Sequence, residues 1–135
     1  MIRVMLVEDH AVVRAGLCEL LGSADDIDVV ASAADGREAV EMAEQHAPDV
    51  TLMDLSMPNV DGIEATRLLR ERDSSAKIVI LTSFSDRARI LQAIDAGAIG
   101  YLLKDADPEE LFRGVRAAAD GESPLAPRAA REHRG

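Results

Sequence analysis

Aromatic side chains are nearly missing from this 135-residue chain, which has no Trp, one Tyr (Tyr101) and two Phe (Phe84 and Phe112). Its core must therefore be built from Val, Ile, Leu, Ala and Met, and any exposed aromatic needs a reason. Cysteine is scarce too. Cys18 stands alone, so an internal disulfide is impossible, and its place in an apolar helical pattern reads as a buried small hydrophobe rather than a reactive thiol. No stretch approaches the ~20 apolar residues of a membrane span. The opening MIRVMLVEDH turns acidic before it could form a signal-peptide core, and no small-residue cleavage site follows. The expectation is a soluble cytoplasmic protein with no membrane partner. Positive charge is in short supply: 15 Lys and Arg face 25 Asp and Glu, a net charge of −10. That balance excludes a general nucleic-acid binder, which needs clustered cations against phosphates.

What is present is the balance of one soluble globular domain, 47% hydrophobic and 30% charged. Five short apolar runs, Ile2–Val7, Ile27–Ala33, Val50–Met53, Lys77–Leu81 and Gly100–Leu103, read as strands buried on both faces. Helical spacing fills the gaps between them. The apolar sets are Val13, Leu17, Leu20 and Leu21, then Ala39, Val40 and Ala43, then Ile63, Leu68 and Leu69. Ile90, Leu91 and Ile94 follow, and Leu111, Val115, Ala118 and Ala119 close the series. Asp35 and Asp107 stand three residues before Glu38 and Glu110 as expected N-caps, the second with Pro108 at the first helical position. Gly22 and Gly97 are expected to end helices in the left-handed conformation. Gly114 lies inside the last helix without a reason legible in the sequence. Strict alternation predicts an α/β fold: a doubly wound, five-stranded parallel sheet of order 2-1-3-4-5, flavodoxin-like. Residues 1–122 form the expected domain, and 123–135, which carry prolines and charges but no apolar period, a tail or the start of a linker.

In such a sheet, ligands bind at the carboxyl ends of the strands where the winding reverses. The first strand ends in Glu8-Asp9 and the third in Asp54, so three acids converge. Like charges ~4 Å apart repel by about 4 kcal/mol at an effective dielectric near 20, so the cluster calls for a proton, a cation or separation. Oxygen ligands on short side chains favour a hard ion, Mg²⁺ or Mn²⁺. Alone, each acid also fits a helix cap, Thr82 a strand-end cap and Lys104 a surface cation. Together at one sheet edge they fit a phosphoryl group, whose oxygens the Thr82 hydroxyl and the Lys104 ammonium would share with the ion. Ser83, beside Thr82, is small enough to leave room. Asp54 is the candidate nucleophile, able to form an aspartyl phosphate. Glu8 and Asp9 hold the cation, one of them through water, with the Ser56 carbonyl as a backbone ligand.

The pieces LVEDH, ADGREAVEMAEQHAPDVTLMDLSMPNVDG, LTSFSD and AGAIGYLLKDADPEEL, in this order and spacing, resemble the response-regulator receiver family over residues 1 to about 122. The fifth segment and the later GESPLAP are similar to receivers of the LuxR/NarL-like subgroup, which precede a helix-turn-helix domain. None follows here, so the chain looks like a receiver cut from a longer protein. The resemblance implies that Asp54 is the phosphoacceptor, Glu8 and Asp9 the acidic pair for Mg²⁺, Thr82 the switch hydroxyl and Lys104 the phosphate-contacting lysine. Tyr101 falls at the family's aromatic switch position, with a simple core-edge aromatic as the alternative. Met57-Pro58 and Asp61-Gly62 match the loop after the phosphoacceptor, with Asp61 capping the third helix. His10 is expected to be exposed or capping rather than a ligand.

The implied activity is that of a two-component switch, not an enzyme beyond self-phosphorylation and slow self-dephosphorylation. A sensor histidine kinase or small phosphodonor supplies the phosphoryl group. A phosphorylation-dependent homodimer is a possible output, and DNA would be reached only through a domain absent from this chain. One departure stands out: many receivers have Pro after the lysine, with a cis peptide, whereas Asp105 follows Lys104. Competing readings fit less well. A haloacid-dehalogenase-type phosphatase expects a second Asp where Ser56 stands, and a flavodoxin expects a hydroxyl- and Gly-rich loop after the first strand and aromatics against the flavin. A receiver that signals without phosphorylation would not need every one of these residues.

Overall fold

The computed structural model describes residues 1–55, 57, 60–82 and 87–123. Strands and helices alternate as β1 (Ile2–Val7), α1 (Ala11–Gly22), β2 (Ile27–Ala33), α2 (Gly36–His46) and β3 (Val50–Asp54). There follow α3 (Gly62–Arg72), β4 (Ile78–Thr82), α4 (Arg87–Ala96), β5 (Gly100–Leu103) and α5 (Pro108–Ala119). All strand pairs are parallel and the order is β2-β1-β3-β4-β5, as the alternation predicted. The fourth strand starts one residue later than expected, leaving Lys77 outside it.

Alternate strand residues point to opposite faces, and each face builds its own core. Met5, Met53, Ile80 and Tyr101 pack under α2, α3 and α4, whereas Leu6, Leu52, Leu81 and Leu102 pack under α1 and α5. The second face has two helices for five strands, and its apolar stripes are correspondingly less covered. Val13, expected inside, is 41% exposed, and Cys18 is only half-buried, packed against the core margin. Leu91 and Ile94 also correct the expectation for α4, which buries Ile90 and Ala93 and turns those two outward.

Helix starts follow the sequence. Asp35, Asp61 and Asp107 each accept the backbone N–H three residues on, at 2.9, 3.0 and 3.0 Å. Helix ends follow it less well. Gly97 has the expected positive φ (121°), but Gly22 stays helical and Ser23 ends α1 in right-handed geometry. Ala47, at φ 45°, takes the left-handed position after α2 that no glycine announced. Gly114 finds its reason in packing: a Cβ there would lie 2.5 Å from Leu102 Cδ1, so the Leu102 side chain of β5 packs directly against the α5 backbone.

Candidate functional site: an acidic cluster at the sheet edge

The carboxyl ends of β1, β3, β4 and β5 lie side by side, and each delivers one polar group. Strand pairing sets Val7 beside Met53, Asp54 beside Leu81 and Thr82 beside Leu103, so Glu8, Asp54, Thr82 and Lys104 fall at one level. Glu8 extends the β1 ladder by one bond, its N–H donating to the Ala33 carbonyl at 3.0 Å. Lys104 does the same for β5, donating from its backbone N–H to the Thr82 carbonyl at 2.9 Å. Backbone pairing thus places these groups before any side-chain attraction acts.

Burial is the cluster's dominant electrostatic fact. Glu8, Asp54 and Thr82 are 1%, 2% and 1% exposed. Water cannot screen the two carboxylates well, and a buried unpaired charge is costly. Lys104 supplies the compensation: its Nζ lies 2.9 Å from Asp54 Oδ1 and 3.6 Å from Glu8 Oε2, while its stem reaches outward. Burial, then hydrogen bonding and repulsion from Asp54, push the Glu8 carboxyl up to about 7 against the pull of Lys104. Burial acts to lower the Lys104 ammonium, but its contacts with Asp54 and Glu8 outweigh that and raise it.

Both carboxylate oxygens of Glu8, and Oδ1 of Asp9, are buried and accept no hydrogen bond among the described residues. Three acceptor oxygens without a hydrogen bond at the end of β1 suit a hard, oxygen-seeking cation, as the donor set does. Glu8, Asp9 and His10 offer ligand atoms within 4.8 Å of one another. His10 itself is at the N-cap position of α1, caps nothing with its side chain and is 72% exposed, 3.4 Å from Asp9 Oδ1. Ser56, the expected carbonyl ligand, and Ser83, the expected small neighbour of Thr82, lie outside the described residues, as does Pro58.

Tyr101 is 4% exposed and part of the core under α2, α3 and α4. Burial pushes its hydroxyl upward, with Arg87 opposing. The Lys104–Asp105 peptide is trans. Gly62 shows why this loop needs glycine: a Cβ there would stand 2.2 Å from the Asp54 carbonyl oxygen. The start of α3 thus lies directly against the backbone of the candidate nucleophile.

Two arginines went unforeseen. Arg14 on α1 donates to the Glu8 carbonyl at 2.7 Å, and Arg89 on α4 donates to the Leu55 carbonyl at 2.9 Å. Each pins the backbone on one side of the acids. Both are solvent-side helix residues by spacing, so nothing in the sequence set them apart.

The family model for the response regulator receiver domain matches residues 4–116. Among curated proteins, the transcriptional regulatory protein LiaR of Bacillus subtilis is 46% identical over 93% of this chain and 59% of its own length. The nitrate/nitrite response regulator protein NarL of Escherichia coli is 39% identical over 90% of this chain and 56% of its own. The chain therefore spans a little over half the length of these relatives. Among solved structures, a LuxR-family two-component response regulator from Aurantimonas sp. SI85-9A1 superposes with a TM-score of 0.91. It is 41% identical, covering 98% of this chain and 96% of that one. No helix among the described residues is long and apolar enough to cross a membrane.

Proposed function

Since the chain belongs to the response-regulator receiver family, we propose that Asp54 accepts a phosphoryl group and that Glu8 and Asp9 bind the Mg²⁺ this requires, Mn²⁺ being an alternative. The observation that carries this reading is that buried Glu8 and Asp54 share the Lys104 ammonium beside carboxylate oxygens of Glu8 and Asp9 that accept no hydrogen bond among the described residues. When bound, the cation neutralises the acids and polarises the phosphoryl oxygens. The rest falls to the chain's own residues. An Asp54 oxygen attacks phosphorus as the bond to the donor's leaving oxygen or nitrogen breaks. Lys104 exchanges its bond to Asp54 Oδ1 for one to a phosphoryl oxygen, and the Thr82 hydroxyl, at the end of the neighbouring strand, takes another. Turning Thr82 inward links the site to Tyr101 below it, the proposed switch pair.

Residues 1–122 are the proposed receiver unit, with 123–135 as tail or start of a linker, of which 124–135 lie outside the described residues. A sensor histidine kinase is the proposed phosphodonor. By likeness to LiaR and NarL, the switch would act on a DNA-binding output domain, through a changed protein surface or a phosphorylation-dependent homodimer. The outward Leu91 and Ile94 on α4, and Val12 on α1, are apolar positions available to such contacts.

Mass spectrometry after incubation with acetyl phosphate and Mg²⁺ tests the assignment. The wild-type chain gains one phosphoryl group, labile to base, and Asp54→Asn gains none while keeping its fold. Equal labelling of the two proteins removes Asp54 from the role.

A further inference from the structure

The His10 imidazole faces two of the carboxylate oxygens that accept no hydrogen bond among the described residues. Its Nδ1 lies 3.4 Å from Asp9 Oδ1 and 3.7 Å from Glu8 Oε1. An N–H···O bond spans about 2.7–3.2 Å, so neither contact is one. The spacing is that of donors around a shared ion. Two atoms each about 2.1 Å from one zinc-like ion stand about 3.4 Å apart at the tetrahedral angle, and about 3.7 Å apart at a somewhat wider one. Glu8 is 1% exposed, so its Oε1 has little recourse to water, and an ion would satisfy it.

Backbone bonds fix the three donors relative to one another. The Glu8 N–H is held by the Ala33 carbonyl at 3.0 Å, and the Glu8 carbonyl accepts from the Arg14 side chain at 2.7 Å. The His10 carbonyl accepts from the Arg14 N–H at 2.8 Å, so one residue of α1 steadies both ends of the Glu8–His10 segment. Asp54 is not part of this group of donors, and its Oδ1 is engaged by Lys104 at 2.9 Å. Donor type then decides which ion gains. Mg²⁺ prefers six oxygens and keeps several waters, so an imidazole nitrogen offers it little, whereas borderline ions such as Zn²⁺ favour that nitrogen. Building on the cation reading of Glu8 and Asp9, we propose that His10 Nδ1 joins Glu8 Oε1 and Asp9 Oδ1 in a site for a borderline transition ion of the zinc class. Such an ion competes with Mg²⁺ for the same two carboxylates and withdraws them from Asp54.

Zinc chloride is the probe, titrated into the ¹⁵N-labelled 135-residue chain and followed by long-range ¹H–¹⁵N spectra that separate the imidazoles of His10, His46 and His133. The His10 Nδ1 signal should shift first and saturate at one equivalent. His10→Ala, a change at an exposed position, should raise the zinc Kd at least about tenfold, and the ratio of magnesium to zinc Kd should fall by the same factor. Magnesium chloride, titrated in parallel, should raise the apparent zinc Kd of the wild type. A His10 signal that does not move, or a Kd ratio preserved in His10→Ala, overturns the site. Zinc binding indifferent to magnesium also overturns it, by placing the ion away from Glu8 and Asp9. Magnesium bound without zinc refutes this site and spares the phosphoryl-acceptor reading; zinc bound through His10 without magnesium supports the site and removes that reading's cation.

Discussion

The two ends of the sheet treat charge in opposite ways. At the amino end, acids and bases pair at the surface: Arg116 makes a two-pronged bridge to Asp26 at 2.8 and 3.0 Å, and Arg72 meets Glu44. Those side chains are all more than 40% exposed, so water does much of the solvation and each pair contributes little. At the carboxyl end, Glu8 and Asp54 are stripped of water and share one ammonium. A chain selected for stability alone would not keep two carboxylates there. The contrast separates charges that tune solubility and local anchoring from charges retained at a cost for what they can bind.

Replacement of Gly62 gives the largest expected effect. Gly62→Ala sets a methyl against the rigid Asp54 carbonyl, and the unfolding free energy in urea should fall by about 3 kcal/mol. A loss below about 1 kcal/mol would mean that α3 can slide away from β3, so that the carboxyl end is looser than the contrast requires. Gly114→Ala, which meets only the tip of a leucine, should cost less.

The second effect has the opposite sign. The folded chain holds the Glu8 proton more tightly than the unfolded one, with a pKa of about 7 against 4.5. That contribution is complete below about pH 4.5 and is lost as pH rises through about 7. Glu8→Gln should therefore match the wild type near pH 4 and exceed it at pH 8 by about 2 kcal/mol, the conversion of the shift setting an upper bound of about 3. Parallel stability curves for the two proteins across this range would show that Glu8 titrates normally. In the same window Mg²⁺ binding should strengthen as pH rises, because the ion must displace that proton. Calorimetric titrations at pH 5.5 and 8 decide it, and equal affinities would count against Glu8 as a ligand.

The smallest effect belongs to the amino end. Arg116→Ala should lower stability by less than about 1 kcal/mol, even though it removes the bridge to Asp26 and a stacking contact over Phe112. A loss of several kcal/mol would erase the distinction between the two ends.

Most of this site was legible because its residues sit where strands stop. The end of an apolar run is easy to find, and parallel pairing then does the positioning, so Glu8, Asp54, Thr82 and Lys104 could be placed on one edge from the sequence. What escaped was decided by neighbours distant in sequence. Gly22 has the composition of a helix end but is held in helical geometry, while Ala47 accepts a left-handed turn for which the sequence offered Gly nowhere nearby. Leu91 and Ile94 share helical spacing with Ile90, yet α4 contacts the sheet along Ile90 and Ala93. Arg14 and Arg89 reach backbone carbonyls, which carry no signature in a sequence at all.

The near-lack of aromatics carries an optical consequence. With no Trp and a single Tyr, all tyrosine emission from this chain comes from Tyr101, packed in the core between the strand-edge cluster and α4. The protein thus contains a built-in reporter with one reading. Any rearrangement at Thr82 that moves the ring changes its quenching and anisotropy, without a label and without a second emitter to subtract. Stopped-flow emission after mixing with a phosphodonor would time that movement directly in the unmodified chain.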